Sequence, residues 1–533
     1  MFRFLLIFLM LSVPLPLVHA QSASWTGPDR SGALESLLAE VQAAESHGLH
    51  SADYFVDQLE AIDPEIPDPA SDAFAEQVFR AFGEDLLNGR LDPLLLDEHW
   101  PFPPQAVDMD RLVEWALETG ESDIILEMLA PRSPDYLMLR LELARWRHQD
   151  DRDWLPILHE GDPLEAGDNG PVVQAVRARL VRLGWLASDS PVVPLAETPA
   201  SFEGLEAEPD FDRDMEDAIR RMQTSARLTP DGLIGPATLA WLNRTPSDRI
   251  DTLRVNLERL RWMPDDLGPV HIAVNVPDFT LQVVENGHIV QRHNVIVGRE
   301  SRPSPVLTAR MAYMIVNPWW ETPPSLAVRD ELPLFRRDPG AVDRLGFQIL
   351  DRSGNEVDPS TINWSEVSAR NFPYRLRQRP GPLNALGVVK FIFPNPHSTF
   401  LHDTPGRHRF AEMPRALSSG CVRVQDAPQL AEWVVRFAAA DPDRPSVDTL
   451  IEAGNEVRIN FSSEIRVHFL YFTAFSEGGS SVRFVRDLYQ RDHTVIEALN
   501  APRPNPEFRR PWPEPGHVVF RRDGDGYATE CSG

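Results

Sequence analysis

Apolar residues recur over the first part of the chain with the period of an α-helix. In the run from Ala33 to Val41, residues Leu34, Leu37, Leu38 and Val41 fall at i, i+3, i+4 and i+7, one helical face. Similar patterns occupy 73–88, 110–130 and 134–147, separated by Pro-rich breaks at 63–69 and 101–104. No chemical constellation stands on them, so 21–158 reads as a scaffold of packed helices. Residues 159–246 carry a different signature. Gly167-Asp168-Asn169-Gly170 precedes an amphipathic run at 172–180, and a second helix covers 214–223. An Asp231-Gly232 turn then leads into a third helix starting near Pro236. A Pro- and Glu-rich stretch near 188–210 interrupts this unit.

From about 270 the period changes to that of strands. The runs 271–276, 280–284 and 293–297 are β-rich, with Glu285-Asn286-Gly287 as a hairpin signal between two of them. Further strands are predicted at 309–316, 388–393 and 398–402. Between them, 318–385 is rich in Pro, Arg and Trp and reads as an inserted subdomain. Asp426 and Pro428 open a helix through Val435. A β-like stretch at 465–474 and a polar, Pro-rich tail follow, giving 247–461 as the strand-rich domain and 462–533 as a C-terminal extension. The fold class is α+β and multi-domain, in keeping with a chain too long for one domain.

The extreme N-terminus changes the compartment. Arg3 precedes an apolar run from Phe4 to Val18, broken by Pro14 and Pro16, and Val18-His19-Ala20 offers small side chains for cleavage. Residues 1–20 are thus expected to be a secretory signal peptide and the mature chain periplasmic; retention at the inner membrane is the outcome if cleavage fails. A net charge of −28 argues against nucleic acid as a partner. Two cysteines, Cys421 and Cys531, could pair in an oxidising compartment. Against pairing stand the position of Cys531, third from the C-terminus in a Gly-rich tail, and the context of Cys421, which together favour a free thiol.

That context is Phe400-Leu401-His402-Asp403-Thr404-Pro405, then Ser418-Ser419-Gly420-Cys421-Val422-Arg423-Val424. A thiol nucleophile needs a base to form thiolate and donors to hold the oxyanion of a tetrahedral intermediate. His402, ending a β-like run, can serve as base; Ser419-Gly420 places a small turn before the thiol. By residue type alone the signal is weak, since many buried cysteines beside small turns are core. The histidines His397, His402 and His408 with Cys421 could bind zinc, but their spacings fit no common ligand pattern, and no metal site is expected here. Asp523-Gly524-Asp525-Gly526 hints at calcium without the length or terminal Glu of an EF-hand loop.

The string itself says more. His402-Asp403-Thr404-Pro405, followed 19 residues later by Cys421 within Ser-Ser-Gly-Cys-Val-Arg-Val, resembles the L,D-transpeptidase catalytic domain. The turn at 231–238 resembles that of the three-helix peptidoglycan-binding domain. Asn317-Pro318-Trp319-Trp320-Glu321-Thr322-Pro323-Pro324 is similar to the start of the substrate-capping insertion in long members of the family. The resemblance implies a helical scaffold, a peptidoglycan-binding domain, and a β-sandwich-like catalytic domain with a cap over about 318–385. It implies Cys421 as nucleophile, His402 as general base and acid, and Ser419 and Gly420 at the oxyanion turn. Trp320, Phe400 and Arg423 are the implied substrate-binding residues. The implied partners are peptidoglycan stem peptides, with a tetrapeptide donor and a diamino-acid acceptor, and glycan strands through 159–246. The implied outcome is a 3→3 cross-link through a cysteine thioester in cell-wall biogenesis and cell shape, with no cofactor and with carbapenems as inactivators. Hydrolysis by an L,D-carboxypeptidase, D-amino-acid exchange, lipoprotein attachment and a non-catalytic wall-binding role are the alternatives.

Overall fold

The computed structural model describes residues 24–187 and 210–503, apart from 29, 98, 442 and 477. The expected signal-peptide segment, the Pro/Glu-rich stretch, the acidic tail motif and Cys531 lie outside the described residues. Among the described residues no helix is long and apolar enough to cross a membrane.

The N-terminal half is helical, as its periodicity predicts. Helices cover Ala33–Gln42, Pro69–Asn88, Met109–Thr119, Ser122–Glu127 and Pro134–Arg147. Asp68, Asp108 and Ser133 accept backbone N–H bonds at three of their N-termini. Helices Pro171–Arg182, Arg213–Ser225 and Pro236–Leu242 form the next unit. The two units do not keep separate cores. Leu37, Phe79, Leu143, Trp154, Val176, Ile219 and Leu242 belong to one continuous apolar cluster, joined from the far end of the chain by Ala474 and Phe484.

Helix Pro246–Arg261, which the apolar periodicity does not predict, ties this half to the rest. A capping box starts it: Thr245 Oγ1 accepts from the Asp248 amide, and Asp248 accepts from the Thr245 amide. Arg249, Arg254, Asn256, Glu258, Arg259 and Arg261 are all buried along it. Arg249 lies over the Trp146 and Phe484 rings, and the others find polar partners in distant segments. Arg254 Nε donates to the Gly48 carbonyl at 3.0 Å, Arg259 pairs with Asp492 at 2.6 Å, and Asn256 donates to Thr473 at 2.8 Å. The polar tail expected after 474 begins instead with a strand pair, Ala474–Ser476 with Val482–Phe484, and helix Arg491–Asn500.

The strand-rich domain is one curled sheet. Its strands, in chain order, are Val270–Asn275 (β1), Thr280–Glu285 (β2), His288–Gly298 (β3), Leu307–Arg310 (β4) and Tyr313–Val316 (β5). Trp320–Thr322 (β6), Phe347–Leu350 (β7) and Arg375–Gln378 (β8) form a separate sheet in the insertion, ordered β6-β8-β7. Then come Val389–Ile392 (β9), Leu401–His402 (β10), Ala416–Ser418 (β11), Val422–Val424 (β12), Val457–Asn460 (β13) and Arg466–Leu470 (β14). The large sheet runs β13-β5-β9-β10-β12-β3-β2-β1-β14-β4, with β11 beside β3. Asn286 (φ 49) and Gly287 (φ 79) make the hairpin turn between β2 and β3, where positive φ at both positions suits Asn-Gly. The predicted strand at 309–316 is two strands, β4 and β5, which pair with different neighbours. Helix Ala427–Ala438 packs its apolar face, Leu430, Ala431, Val434 and Val435, into the core of the sheet.

Candidate active site

Short strands bring the chemical residues together. β10 pairs parallel with β12 and antiparallel with β9, so His402 lies opposite Arg423 on one side and Lys390 on the other. Cys421 immediately precedes β12 and is 2 % exposed. Cys421, His402, Trp320, Phe400 and Arg423 line one cavity of about 180 Å3, as do Arg299, Leu326, Asp330, Glu331, Ala385, Leu386 and Ser418. The roof comes from the insertion: Trp320 stands on β6, its ring 6.1 Å from Phe347, and Leu326, Asp330 and Glu331 lie on the helical segment after it.

His402 is buried and its tautomer follows from its neighbour. Nδ1 sits 2.5 Å from the Asp403 carbonyl, which can only accept, so Nδ1 carries the hydrogen and Nε2 keeps the lone pair. Burial first, and then the positive charge of Arg423 and Lys390, pushes the imidazole down to about 3. Those cations are themselves half-buried. The Lys390 ammonium lies 4.0 Å from the Phe400 ring centroid, and burial lowers it to about 8. Arg423 is lowered to about 10 by burial and by Arg409 and Arg299, and its Nε makes no hydrogen bond.

The turn before Cys421 is strapped from several sides. Ser418 Oγ donates to the Cys421 carbonyl and accepts from the Gly420 amide at 3.2 Å. Ser304 Oγ donates to the Gly420 carbonyl at 2.7 Å, and Tyr489, from the C-terminal extension, donates to the Gly298 carbonyl and accepts from the Ser304 amide. Gly420 has φ +117, a conformation side chains rarely adopt. The Gly420 amide donates to Ser418 Oγ and the Ser419 hydroxyl accepts from Arg302 at 2.5 Å, and neither residue lines the cavity. The expectation of a free thiol is the one that changes here. Cys421 is disulfide-bonded, and no free cysteine is found among the described residues. That expectation rested on the sequence context of Cys421 and on the place of Cys531 near the end of the chain, neither of which precludes pairing.

Sequence reasoning missed Glu331 and Arg299. Glu331 closes a π-helical turn, Ala327–Glu331, and burial followed by the charge of Asp330 raises its carboxyl to about 7. No motif marks either residue.

Residues 269–459 match the family described as "L,D-transpeptidase catalytic domain", 19–143 match "Scaffold domain", and 169–242 match "Putative peptidoglycan binding domain". Residues 269–459 thus carry an L,D-transpeptidase catalytic domain. A Haemophilus influenzae protein named "Putative L,D-transpeptidase" is 37 % identical over 243 residues, 46 % of this chain. The match spans about half (48 %) of that relative's length. Solved L,D-transpeptidase structures from Xylanimonas cellulosilytica and Stackebrandtia nassauensis share 15 % and 13 % identity, with TM-scores of 0.17 and 0.20. They cover 59 % and 58 % of this chain and 100 % and 95 % of their own. At those scores they carry no structural weight.

Proposed function

We propose that the protein is a peptidoglycan-acting L,D-transpeptidase whose nucleophile is Cys421, active in the periplasm after removal of residues 1–20. The observation that carries this reading is that Cys421 and a neutral His402, with its Nε2 lone pair unprotonated, line the same small cavity. Reduction of the disulfide must first release the thiol. Lys390 and Arg423 then favour thiolate and disfavour imidazolium, so His402 receives the thiol proton only as attack proceeds. The sulfur adds to the carbonyl of the diamino acid at stem position three, and the bond to the terminal D-alanine breaks. His402 returns the proton to that leaving amine. The side-chain amine of a second stem attacks the thioester, loses a proton to His402, and releases the thiol with a 3→3 cross-link. Trp320 and the capping insertion exclude water until the acceptor amine arrives. Arg423 attracts a stem carboxylate.

The test is mass analysis of products after reduced enzyme meets disaccharide-tetrapeptide stems. Dimers containing a tripeptide donor, and their loss in Cys421→Ala, are expected. Tripeptide monomers alone would instead establish a carboxypeptidase, and unchanged turnover by Cys421→Ala would overturn the assignment. A carbapenem should add one mass equivalent to the Cys421 peptide of reduced enzyme.

A further inference from the structure

Far from the cavity, three elements of the N-terminal helical region converge on a buried histidine. Glu40 lies on helix Ala33–Gln42, His47 ends the tight turn Ala44–His47, and Glu127 ends helix Ser122–Glu127. One ligand atom from each lies within 4.8 Å of the others. His47 is fully buried, and its Nε2 points between the carboxylates, 3.2 Å from Glu127 and 3.5 Å from Glu40. It stands at ion-pair distance from both, yet neither contact has hydrogen-bond geometry, so its hydrogen-bond position is unfilled.

The spacing suits a metal. Ligands about 2.0–2.1 Å from a tetrahedral zinc lie roughly 3.3–3.4 Å apart, close to the two separations at Nε2. The surroundings also suit one. His47 Nδ1 is 3.0 Å from Tyr136 Oη, which accepts from Arg261 at 3.0 Å, an arrangement that fixes the ring and leaves Nε2 to bind. Arg140 holds the other oxygen of Glu127 at 2.5 Å and leaves Oε2 turned to His47. A surface hollow of about 580 Å3, lined by Glu40, Glu127, Tyr136 and Arg140, gives an ion an entry and room for water.

We propose that Glu40, His47 and Glu127 form a Zn2+ site with water in the fourth position, clamping the turn at 44–47 between two helices. The set of one imidazole and two carboxylates is harder than a thiolate site and has no sulfur to lose to oxidation.

The experiment is calorimetric titration of the chelator-stripped, full-length protein with ZnCl2, paired with mass spectrometry of bound metal. One Zn2+ per chain is expected, with a raised Tm. Glu40→Gln and Glu127→Gln should each weaken uptake at least tenfold, and the double variant should lose it. Cys421→Ser should bind as the parent does, which separates this site from the catalytic cavity. Co2+ titration of the unaltered protein reads the site without any substitution: visible d–d bands of a tetrahedral centre should appear, with no thiolate charge-transfer band. No uptake, uptake undiminished in the double variant, or a thiolate band with Co2+ would overturn the proposal.

Discussion

Two buried histidines, His47 in the N-terminal helical region and His402 in the cavity, differ by the company they keep. Both lose nearly all contact with water, at 0 % and 4 % exposure. Burial alone should hold both neutral. At His402 it is reinforced by Arg423 and Lys390, and the ring falls to about 3. At His47 it is opposed by Tyr136, Glu127 and Glu40, and the ring rises to about 9. Depth therefore says little about the charge of an imidazole; the sign of its neighbours decides it. One region is arranged to keep a lone pair exposed for proton transfer, the other to gather negative charge around a nitrogen.

The contrast is tested hardest by removing the working ring. His402→Gln should reduce turnover by about 10²–10⁴-fold, the usual contribution of a positioned acid–base group. Thermal stability should change little, and a comparable loss of Tm would assign His402 to packing instead. The profile of the parent enzyme should also lack an acid-side inflection near 6.5, because the ring stays neutral down to about 3. The sign for stability follows. The folded state binds this proton only near 3 while the unfolded chain binds it near 6.5, so stability falls as pH drops between those values.

On the other side of the comparison, Arg261 supports His47 through Tyr136 and through the His47 carbonyl at 2.8 Å. It also pairs with Glu258 at 2.6 Å, with neither side chain exposed. Arg261→Met leaves the Glu258 carboxylate buried and unpaired and should cost about 3–5 kcal/mol of stability. Denaturant unfolding measures it. Turnover per folded molecule should persist, and a selective loss of turnover with normal stability would contradict a structural role.

The same helix shows where sequence stops being legible. Helix Ala33–Gln42 is readable because its partners are apolar: Leu34, Leu37 and Val41 all enter the core, so burial and hydrophobicity coincide. Helix Pro246–Arg261 is as buried, but it carries arginines, Asn256 and Glu258 inward, and the partners that make this tolerable, Gly48, Asp492 and Thr473, lie far away in the chain. No local period can report them. The cavity divides in the same way. Cys421, His402, Phe400 and Arg423 sit on or beside short neighbouring strands within a recognisable string, and Trp320 in a second one, and all line the cavity. Glu331 joins through a π-helical turn with no sequence signature, and no local motif reports the disulfide at Cys421.

A smaller effect should come from changing one neighbour of His402. Lys390→Met removes a cation but keeps the apolar stem against Phe400. Burial and Arg423 remain, so the imidazole should rise from about 3 only part of the way toward 6.5. Titration followed by NMR of the ring reads this directly. An unmoved ring would mean that burial alone sets its state, and the contrast with His47 would lose its charge argument.

The smallest expected effect lies at Glu331, where a carboxyl in the same cavity titrates near neutrality. Burial, then the charge of Asp330, raises it from 4.5 to about 7. Below that value it is neutral and tolerates a stem carboxylate drawn in by Arg299 and Arg423. Above it, the ionised group repels the same carboxylate. The expectation is a KM for the donor stem that climbs severalfold as pH is raised through about 7, with kcat little changed. Glu331→Gln keeps the shape of the neutral acid and should flatten the climb at its low-pH value. Stability supplies an independent reading with its own sign. A carboxyl raised on folding favours the folded state fully below 4.5, and that contribution disappears as pH rises through about 7. The parent should therefore lose Tm relative to Glu331→Gln across this interval. A KM that climbs equally in the variant would place the titrating group elsewhere, with Lys390, lowered to about 8, next in line.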